Sequence, residues 1–403
     1  VEAPRRSLEP QEDATVGSWL DREISRRSLM RSSALATGAV VAAGALSAQQ
    51  TPTARALGGE AGAGPTRLGQ FAGMAEALQD SGTTVEAVEL NWDDMGPAPQ
   101  RWTAQGIAAP LELFFWWGYV RLPDRRPILL VRLMTPAGSL EVAHGETGDG
   151  MFGRQTPLQP TGFGGAALYR AVDGDPEGFT TDPTTWEMTG ESPRMLYRTS
   201  SKRAHVIEGD FFDTTWDYMP RTMCVTPPGP MGPYFSGAAT VSGTYLGQSV
   251  SYNGGFDRMY GAGAVDFVTS SPFIYLAFSG VGPDGRREWG AVFVAGDKGA
   301  AMYCRDGDEP VTSTEVRLEA RYARDPGNPS RISPSHAIFR FADKEIQYVA
   351  KHGAAVSTYY DLLTSIYPIV NTEGNWRERN SPPQFTQWLG SIESHIPEGS
   401  VQL

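Results

Sequence analysis

Leu111-Glu112-Leu113-Phe114-Phe115-Trp116-Trp117-Gly118-Tyr119-Val120, then the turn cluster Pro123-Asp124-Arg125-Arg126, then Pro127-Ile128-Leu129-Leu130-Val131-Arg132-Leu133-Met134, is the stretch that sets the fold class. Two runs of aromatic and branched aliphatic residues on either side of a turn read as strand, turn, strand. The same grammar recurs at Met195–Ser200 and His205–Phe212 around Ser201-Lys202-Arg203, and at Thr240–Leu246 and Ser249–Phe256. It returns at Phe273–Phe278, Trp289–Val294, Ala300–Cys304 and Val316–Tyr322, and in the pair Ala337–Phe341 and Ile346–Ala350. Hairpins in series predict up-and-down antiparallel sheets that close on themselves, because closure removes edges that would template aggregation. One short helix fits Leu68–Leu78.

An internal repeat sharpens this expectation. Phe115–Gly118, Pro123-Asp124, the following aliphatic run and Ala137-Gly138 can be laid beside Tyr275–Gly280, Pro283-Asp284, Trp289–Val294 and Gly296-Asp297, at an offset of 160 residues. Two similar barrels in tandem follow from that offset. The Pro/Gly-rich stretch from Pro227 to Pro233 is the expected boundary, dividing the chain into an N-terminal barrel over 57–233 and a C-terminal barrel over 234–403.

Composition agrees with a folded β protein. The 403 residues include 46 glycines and 30 prolines, with 40% hydrophobic, 10% aromatic and 20% charged residues. Glycine without a three-residue period excludes collagen, and the frequency of glycine and proline opposes a long helical bundle. A net charge of -12, with the few lysines scattered, opposes a nucleic-acid partner.

The first 56 residues read differently. Ser25-Arg26-Arg27-Ser28-Leu29-Met30-Arg31, an apolar run from Ala34 to Ala45 and an A-x-A site at Ala54-Arg55-Ala56 resemble a twin-arginine export signal. The run is too short for a stable membrane span. Export to the periplasm or the exterior is therefore expected if this leader acts. In an oxidising compartment Cys224 and Cys304 either pair or stay as two buried thiols.

Common catalytic constellations are absent from the sequence: there is no G-x-x-x-x-G-K-[ST] phosphate loop, no G-x-S-x-G elbow and no H-E-x-x-H pair. The five histidines are far apart in the sequence, so no local metal site is expected, and no cofactor is called for.

The chemically informative segment is Asn253-Gly254-Gly255-Phe256-Asp257-Arg258-Met259-Tyr260-Gly261. It resembles the G-x-x-W-F-D-R-Q-W-G motif of a lipocalin-like family that includes carotenoid 1,2-hydratases of the hydroxyneurosporene synthase type, secreted AttH-type proteins and [4+2] cyclases. Asp257, Arg258 and Gly261 match directly, while Met259 and Tyr260 replace glutamine and tryptophan. Glu112–Gly118 is similar to the family's acidic-aromatic opening strand. The resemblance implies two tandem lipocalin-like barrels over roughly residues 90–403.

Asp257 and Arg258 admit two readings. Either Asp257 is a general acid or base, with Arg258 holding its charge or stabilising a developing enolate, or the two form a buried ion pair that locks the barrels. Glu112 is a second candidate acid, or a solvated rim residue. Phe115, Trp117 and Tyr119 share one strand face and, with Phe256, Tyr260 and Trp376, are candidate substrate walls. Arg377 and Glu378 are either part of an inter-domain cleft or surface pairs. The resemblance implies a cofactor-independent cyclase acting on a large apolar polyene or polyketide, or a hydratase adding water to a polyene double bond. A non-enzymatic carrier of hydrophobic ligands is the third possibility. The sequence leaves oligomeric state open.

Overall fold

The computed structural model describes residues 82–96, 111–124, 127–135, 138–146, 150–151, 168–191, 194–210, 212–226, 233–260, 273–296, 298–354, 369–381, 387–396 and 401. For 111–115, 127, 129–135, 138–146, 168–169, 190–191, 194–195, 212, 259–260, 352–354, 369, 387–388 and 395 it is the backbone path that is described. The expected leader and the expected helix at Leu68–Leu78 lie outside the described residues.

Nearly all of the described chain is strand. The first sheet contains β1 (Thr84–Val88), β2 (Leu111–Arg121), β3 (Pro127–Thr135), β4 (Gly138–Glu146), β5 (Leu168–Asp173), β6 (Thr184–Glu191), β7 (Arg194–Thr199), β8 (Arg203–Glu208), β9 (Phe212–Tyr218), β10 (Thr222–Thr226), β11 (Tyr234–Tyr245) and β12 (Gln248–Tyr260). The second contains β13 (Phe273–Val281), β14 (Arg287–Ala295), β15 (Lys298–Arg305), β16 (Val311–Ser313), β17 (Arg317–Asp325), β18 (Asn328–Phe341), β19 (Lys344–Ala354), β20 (Ile369–Glu378) and β21 (Gln387–His395). One turn of 3-10 helix, Trp92–Met95, is held by a reciprocal cap in which the Asn91 and Asp94 side chains each accept from the other's backbone N–H.

Every described strand pair is antiparallel. The first sheet runs β4-β3-β2-β12-β11-β9-β8-β7-β6-β5, with β10 on β11 and β1 on β10. The second runs β16-β15-β14-β13-β21-β20-β19-β18-β17. In each sheet the first strand of the meander pairs with its hairpin neighbour and also with the sheet's last strand, β2 with β3 and β12 and β13 with β14 and β21, while β1 precedes β2 in sequence and pairs with β10. An offset of 160 carries the starts of β3 and β4, Pro127 and Gly138, onto those of β14 and β15, Arg287 and Lys298. The repeat legible in the sequence is thus a repeat of topology.

Both sheets curl. Trp116 of β2 stacks on Tyr197 of β7, with ring centroids 5.7 Å apart, although four strands separate them along the ladder. In the second sheet the Lys344 ammonium at the head of β19 lies 5.2 Å from the ring of Tyr303 on β15, again four strands away. Right-handed twist accumulated over so many strands brings distant members of one sheet together.

Three hydrophobic clusters result. One lies in the concavity of the first sheet and includes Trp116, Val120, Trp216, Phe235 and Phe256. Another fills the second sheet around Leu276, Phe278, Phe339, Tyr348 and Trp376. The third is the seam where the convex faces of β2, β11 and β12 meet those of β13, β14 and β21; it contains Trp117, Tyr119, Tyr234, Tyr275, Phe293 and Leu389. Each fully buried large apolar side chain contributes about 1.5–3 kcal/mol against leaving it exposed. Strands at the seam are buried on both faces, as in β13, where all positions from Phe273 to Gly280 are buried. This explains the continuous apolar runs in the sequence, since alternation survives where one face meets water. β8 shows that alternation, with every second residue buried from Ala204 to Glu208.

The division expected at 233/234 falls within the first sheet. β11 and β12 follow it in sequence yet pair with β9 and β2, and the change of sheet comes between Tyr260 and Phe273. The Pro/Gly-rich segment falls in sequence between β10 and β11, which pair with one another in that sheet, and apart from Pro233 it lies outside the described residues. Cys224 and Cys304 are free buried thiols belonging to different clusters, the first-sheet core and the seam.

Candidate functional site at the seam

The seam is built on β12, whose side chains alternate between the two faces of the first sheet. Phe256 turns into the first-sheet core, 4.3 Å from the ring of Tyr218. Asp257 turns into the seam, only 4% exposed. Its Oδ1 accepts from the Tyr234 hydroxyl at 2.5 Å and the Tyr275 hydroxyl at 3.0 Å, and its Oδ2 accepts from the Trp117 indole N–H at 3.0 Å. Tyr275 and Ser236 also share a hydroxyl hydrogen bond. Trp117, Tyr234 and Ser236 come from the first sheet and Tyr275 from the second, so one carboxyl ties the two together.

Glycine makes this possible. Trp117 stands opposite Gly255, and a Cβ there would lie 2.5 Å from the indole Cζ2 and equally close to the Gly237 carbonyl oxygen. The bare backbone lets the ring lie across β12 and deliver its N–H to Asp257.

Glu393 on β21 is the second carboxyl. It stands opposite Tyr275, is half-buried, and has no hydrogen-bond partner among the described residues. Burial pushes Asp257 up to about 6, against the lowering effect of its tyrosine, serine and tryptophan donors. Burial, and then the charge of Asp257, pushes Glu393 up to about 8. Burial and the Asp257 charge likewise hold the Tyr234 and Tyr275 phenols well above their ordinary range. The seam therefore holds two carboxyls in an aromatic setting, both raised above the ordinary carboxylate range and Glu393 the further. Unlike neighbours of this sort can divide the roles of base and acid between them.

Further along the seam, Arg121 of β2 pairs with Glu373 of β20, bridging the sheets, and its guanidinium lies 4.7 Å from the Tyr252 ring centroid. Tyr119, between Trp117 and Arg121 on the same face, is 1% exposed. Burial, then the Glu373 charge, raises its phenol.

The structure brings Asp257, Trp117 and Tyr119 together and separates the other expected site residues. Arg258 points the opposite way, into the first sheet, where it donates to the Gly96 carbonyl. Alternation along β12 is the reason, and the role expected for Arg258 beside Asp257 does not follow from its position. Phe256 and Trp376 are interior to the two sheets rather than walls of the seam; Trp376 donates to the Ser279 carbonyl and packs 4.5 Å from Phe278. The side chains of Glu112, Phe115 and Tyr260 lie outside the described residues. Arg377 is exposed and bonds Gln347, while Glu378 is buried and accepts from Asn380.

Glu393, Tyr234, Tyr275 and Glu373 were not singled out in the sequence. The one available signal for Glu393 was the period-two set Leu389, Ser391, Glu393, whose polar members obscure a face that is nonetheless covered. Among the described residues no group of three or more His, Cys, Asp or Glu is placed to hold a metal ion, and no helix is long and apolar enough to cross a membrane.

No family model matches the chain, and no curated protein matches it. Three solved structures with fold similarity are a candidate AttH protein from Nitrosomonas europaea, kievitone hydratase from Nectria haematococca, and CghA with Sch210972. The first is 12% identical over 77% of this chain and 97% of its own, with a TM-score of 0.41. Kievitone hydratase is 9% identical over 72% and 89%, with a TM-score of 0.36. CghA is 10% identical over 72% and 89%, with a TM-score of 0.40.

Proposed function

We propose that the protein is a cofactor-independent enzyme that carries out proton-transfer chemistry on a large, apolar, unsaturated molecule held in the seam, and that the reaction is addition of water across a carbon-carbon double bond. The observation that supports this is the meeting of two carboxyls in the seam, Asp257 held by Trp117, Tyr234 and Tyr275 and Glu393 facing it from the second sheet opposite Tyr275, with Glu393 raised further above the ordinary carboxylate range than Asp257. Glu393 gives its proton to one alkene carbon. A water oxygen bonds to the other carbon and loses a proton to the Asp257 carboxylate. The sum is one water added, and the proton returns to Glu393 through its accessible side. Aromatic faces stabilise cationic character developing between these steps, and the fixed donors around Asp257 keep its carboxylate oriented.

Intramolecular [4+2] cyclisation is the second reading. It draws on the aromatic walls of Trp117, Tyr119 and Tyr234, which suit holding a flexible chain in a reactive fold, where orientation alone supplies several kcal/mol. In that case Glu393 serves as a hydrogen-bond donor that polarises a carbonyl.

The test is incubation with polyene and polyketide extracts in heavy-oxygen water, with products read by mass spectrometry. One labelled oxygen in the product supports hydration; a product of unchanged mass with a lost conjugated absorption supports cyclisation. Glu393→Gln should reduce hydration at least about a hundredfold but leave a shape-driven cyclisation within about tenfold. Binding without turnover in any extract would overturn the enzyme reading in favour of a carrier.

A further inference from the structure

Three buried polar atoms at the Arg121 end of the seam have no protein partner among the described residues, both amide atoms of Asn253 and Glu373 Oε2, and the Tyr119 hydroxyl beside them has Ser391 of β21 as its neighbour. Asn253 and Tyr119 are each 1% exposed and Glu373 is 4% exposed. Asn253 stands directly opposite Tyr119 on the paired strand, so their side chains share the seam face. Glu373 faces them from the second sheet, fixed by Arg121, which lies two residues beyond Tyr119 on the same face. Buried polar groups are satisfied in the great majority of cases, so a cluster of orphans contributed by two strands of different sheets calls for an explanation.

We propose that Tyr119, Asn253 and Glu373 form a recognition subsite for a neutral, carboxamide-type head group of the substrate, one with an N–H beside a C=O. The assignment rests on the seam being the substrate site. Asn253 Nδ2 and the Tyr119 hydroxyl donate to the carbonyl, and Asn253 Oδ1 and Glu373 Oε2 accept from the amide. Charge argues against an ionic head: the Arg121 cation and the Glu373 anion already neutralise one another, so an added anion would meet a carboxylate and an added cation would meet Arg121. Asn253 and Asp257 are four residues apart on one face of β12, which sets the head group about 13 Å from the reacting end. The Trp117 ring, laid over Gly255, forms the floor between them. A long apolar molecule with one polar terminus fits that spacing.

Parinaramide, the primary amide of a fluorescent conjugated tetraene, and the corresponding hydrocarbon ending in methyl provide the test by fluorescence titration of the full chain. Wild type should bind the amide at least about tenfold more tightly than the hydrocarbon. Asn253→Leu should bring the two affinities to within about twofold of each other by weakening the amide alone, and should not lower the melting temperature of the ligand-free protein, because it removes orphaned polar atoms. Tyr119→Phe, which keeps the ring, should remove part of the preference. Equal affinities in wild type, or a preference that survives both substitutions, would overturn the subsite while leaving the seam reading intact. Failure of both probes to bind would overturn the seam reading and the subsite with it.

Discussion

The indole N–H of Trp117 on β2 donates to the carboxylate of Asp257 on β12 at 3.0 Å, reaching past a strand position that only glycine can occupy. The bond crosses the face along which the two sheets meet and depends on four cooperating features: an aromatic at 117, no side chain at 255, an acid at 257 and a second sheet to bury them.

Trp117→Phe keeps an aromatic ring and removes the donor. Loss of a charge-assisted hydrogen bond in a buried site should cost about 1.5–3 kcal/mol. It also removes one of the bonds that lower the Asp257 pKa, so the acid limb of the pH-activity profile should move upward. Denaturant unfolding measures the first effect and the pH dependence of turnover the second. A stability loss without movement of the acid limb would mean that Trp117 only fills space.

Asp257 and Glu393 make stability depend on pH in a fixed direction. Both folded-state pKa values are raised, to about 6 and about 8, from ordinary carboxylate values near 4. The native state therefore holds more protons than the unfolded chain between about pH 4 and pH 8, and stability falls as pH rises across that window. The combined change should be on the order of a few kcal/mol. Asp257→Asn and Glu393→Gln should each flatten the part of the slope that their own carboxyl causes. Urea midpoints at a series of pH values read it directly; a midpoint rising from pH 5 to pH 8 in wild type would contradict the assignment.

Much of this fold was legible because β13 and the Trp116–Val120 part of β2 are buried on both faces. Leu113–Val120 and Phe273–Phe278 appear as unbroken apolar runs, and the shared Pro-Asp turns show that they are counterparts. Strands with mixed faces were harder to see. β21 carries Leu389, Ser391 and Glu393 toward the seam, a pattern resembling a half-exposed strand until the first sheet is known to cover it. Asp257 was legible from its motif, whereas its partners Tyr234 and Tyr275 were not, because hydrogen bonds across a seam leave no spacing in the sequence. The membership of β11 and β12 was hidden for a related reason: a proline-rich stretch of sequence can lie between two strands of one sheet as well as between two sheets, and here it lies between the paired strands β10 and β11.

Arg121 and Glu373 make an electrostatic contact between the sheets, with the arginine 22% and the glutamate 6% exposed at their side chains. Removing the arginine alone strands a buried carboxylate, so Arg121→Met should destabilise by about 2–4 kcal/mol. Removing both partners should cost less than that single change, since an uncompensated charge is worse than an apolar pair. Equilibrium unfolding of the two single variants and the double variant completes the cycle. Additive losses would show that the two side chains act independently.

Phe256 and Trp117 differ by one strand face, and that difference separates packing from binding. Phe256→Ala empties a fully buried position in the first-sheet core and should cost about 3–5 kcal/mol, as truncation of a buried aromatic does. Its ring does not reach the seam cluster, so at temperatures where the variant remains folded the affinity for an apolar probe should stay within about twofold of wild type. Trp117→Ala also removes a buried ring, but from the seam itself, and should weaken the same probe about tenfold or more. Thermal melts and fluorescence titrations on the two variants give both quantities. A loss of probe affinity in Phe256→Ala equal to that in Trp117→Ala would place the ligand inside the first sheet rather than between the sheets.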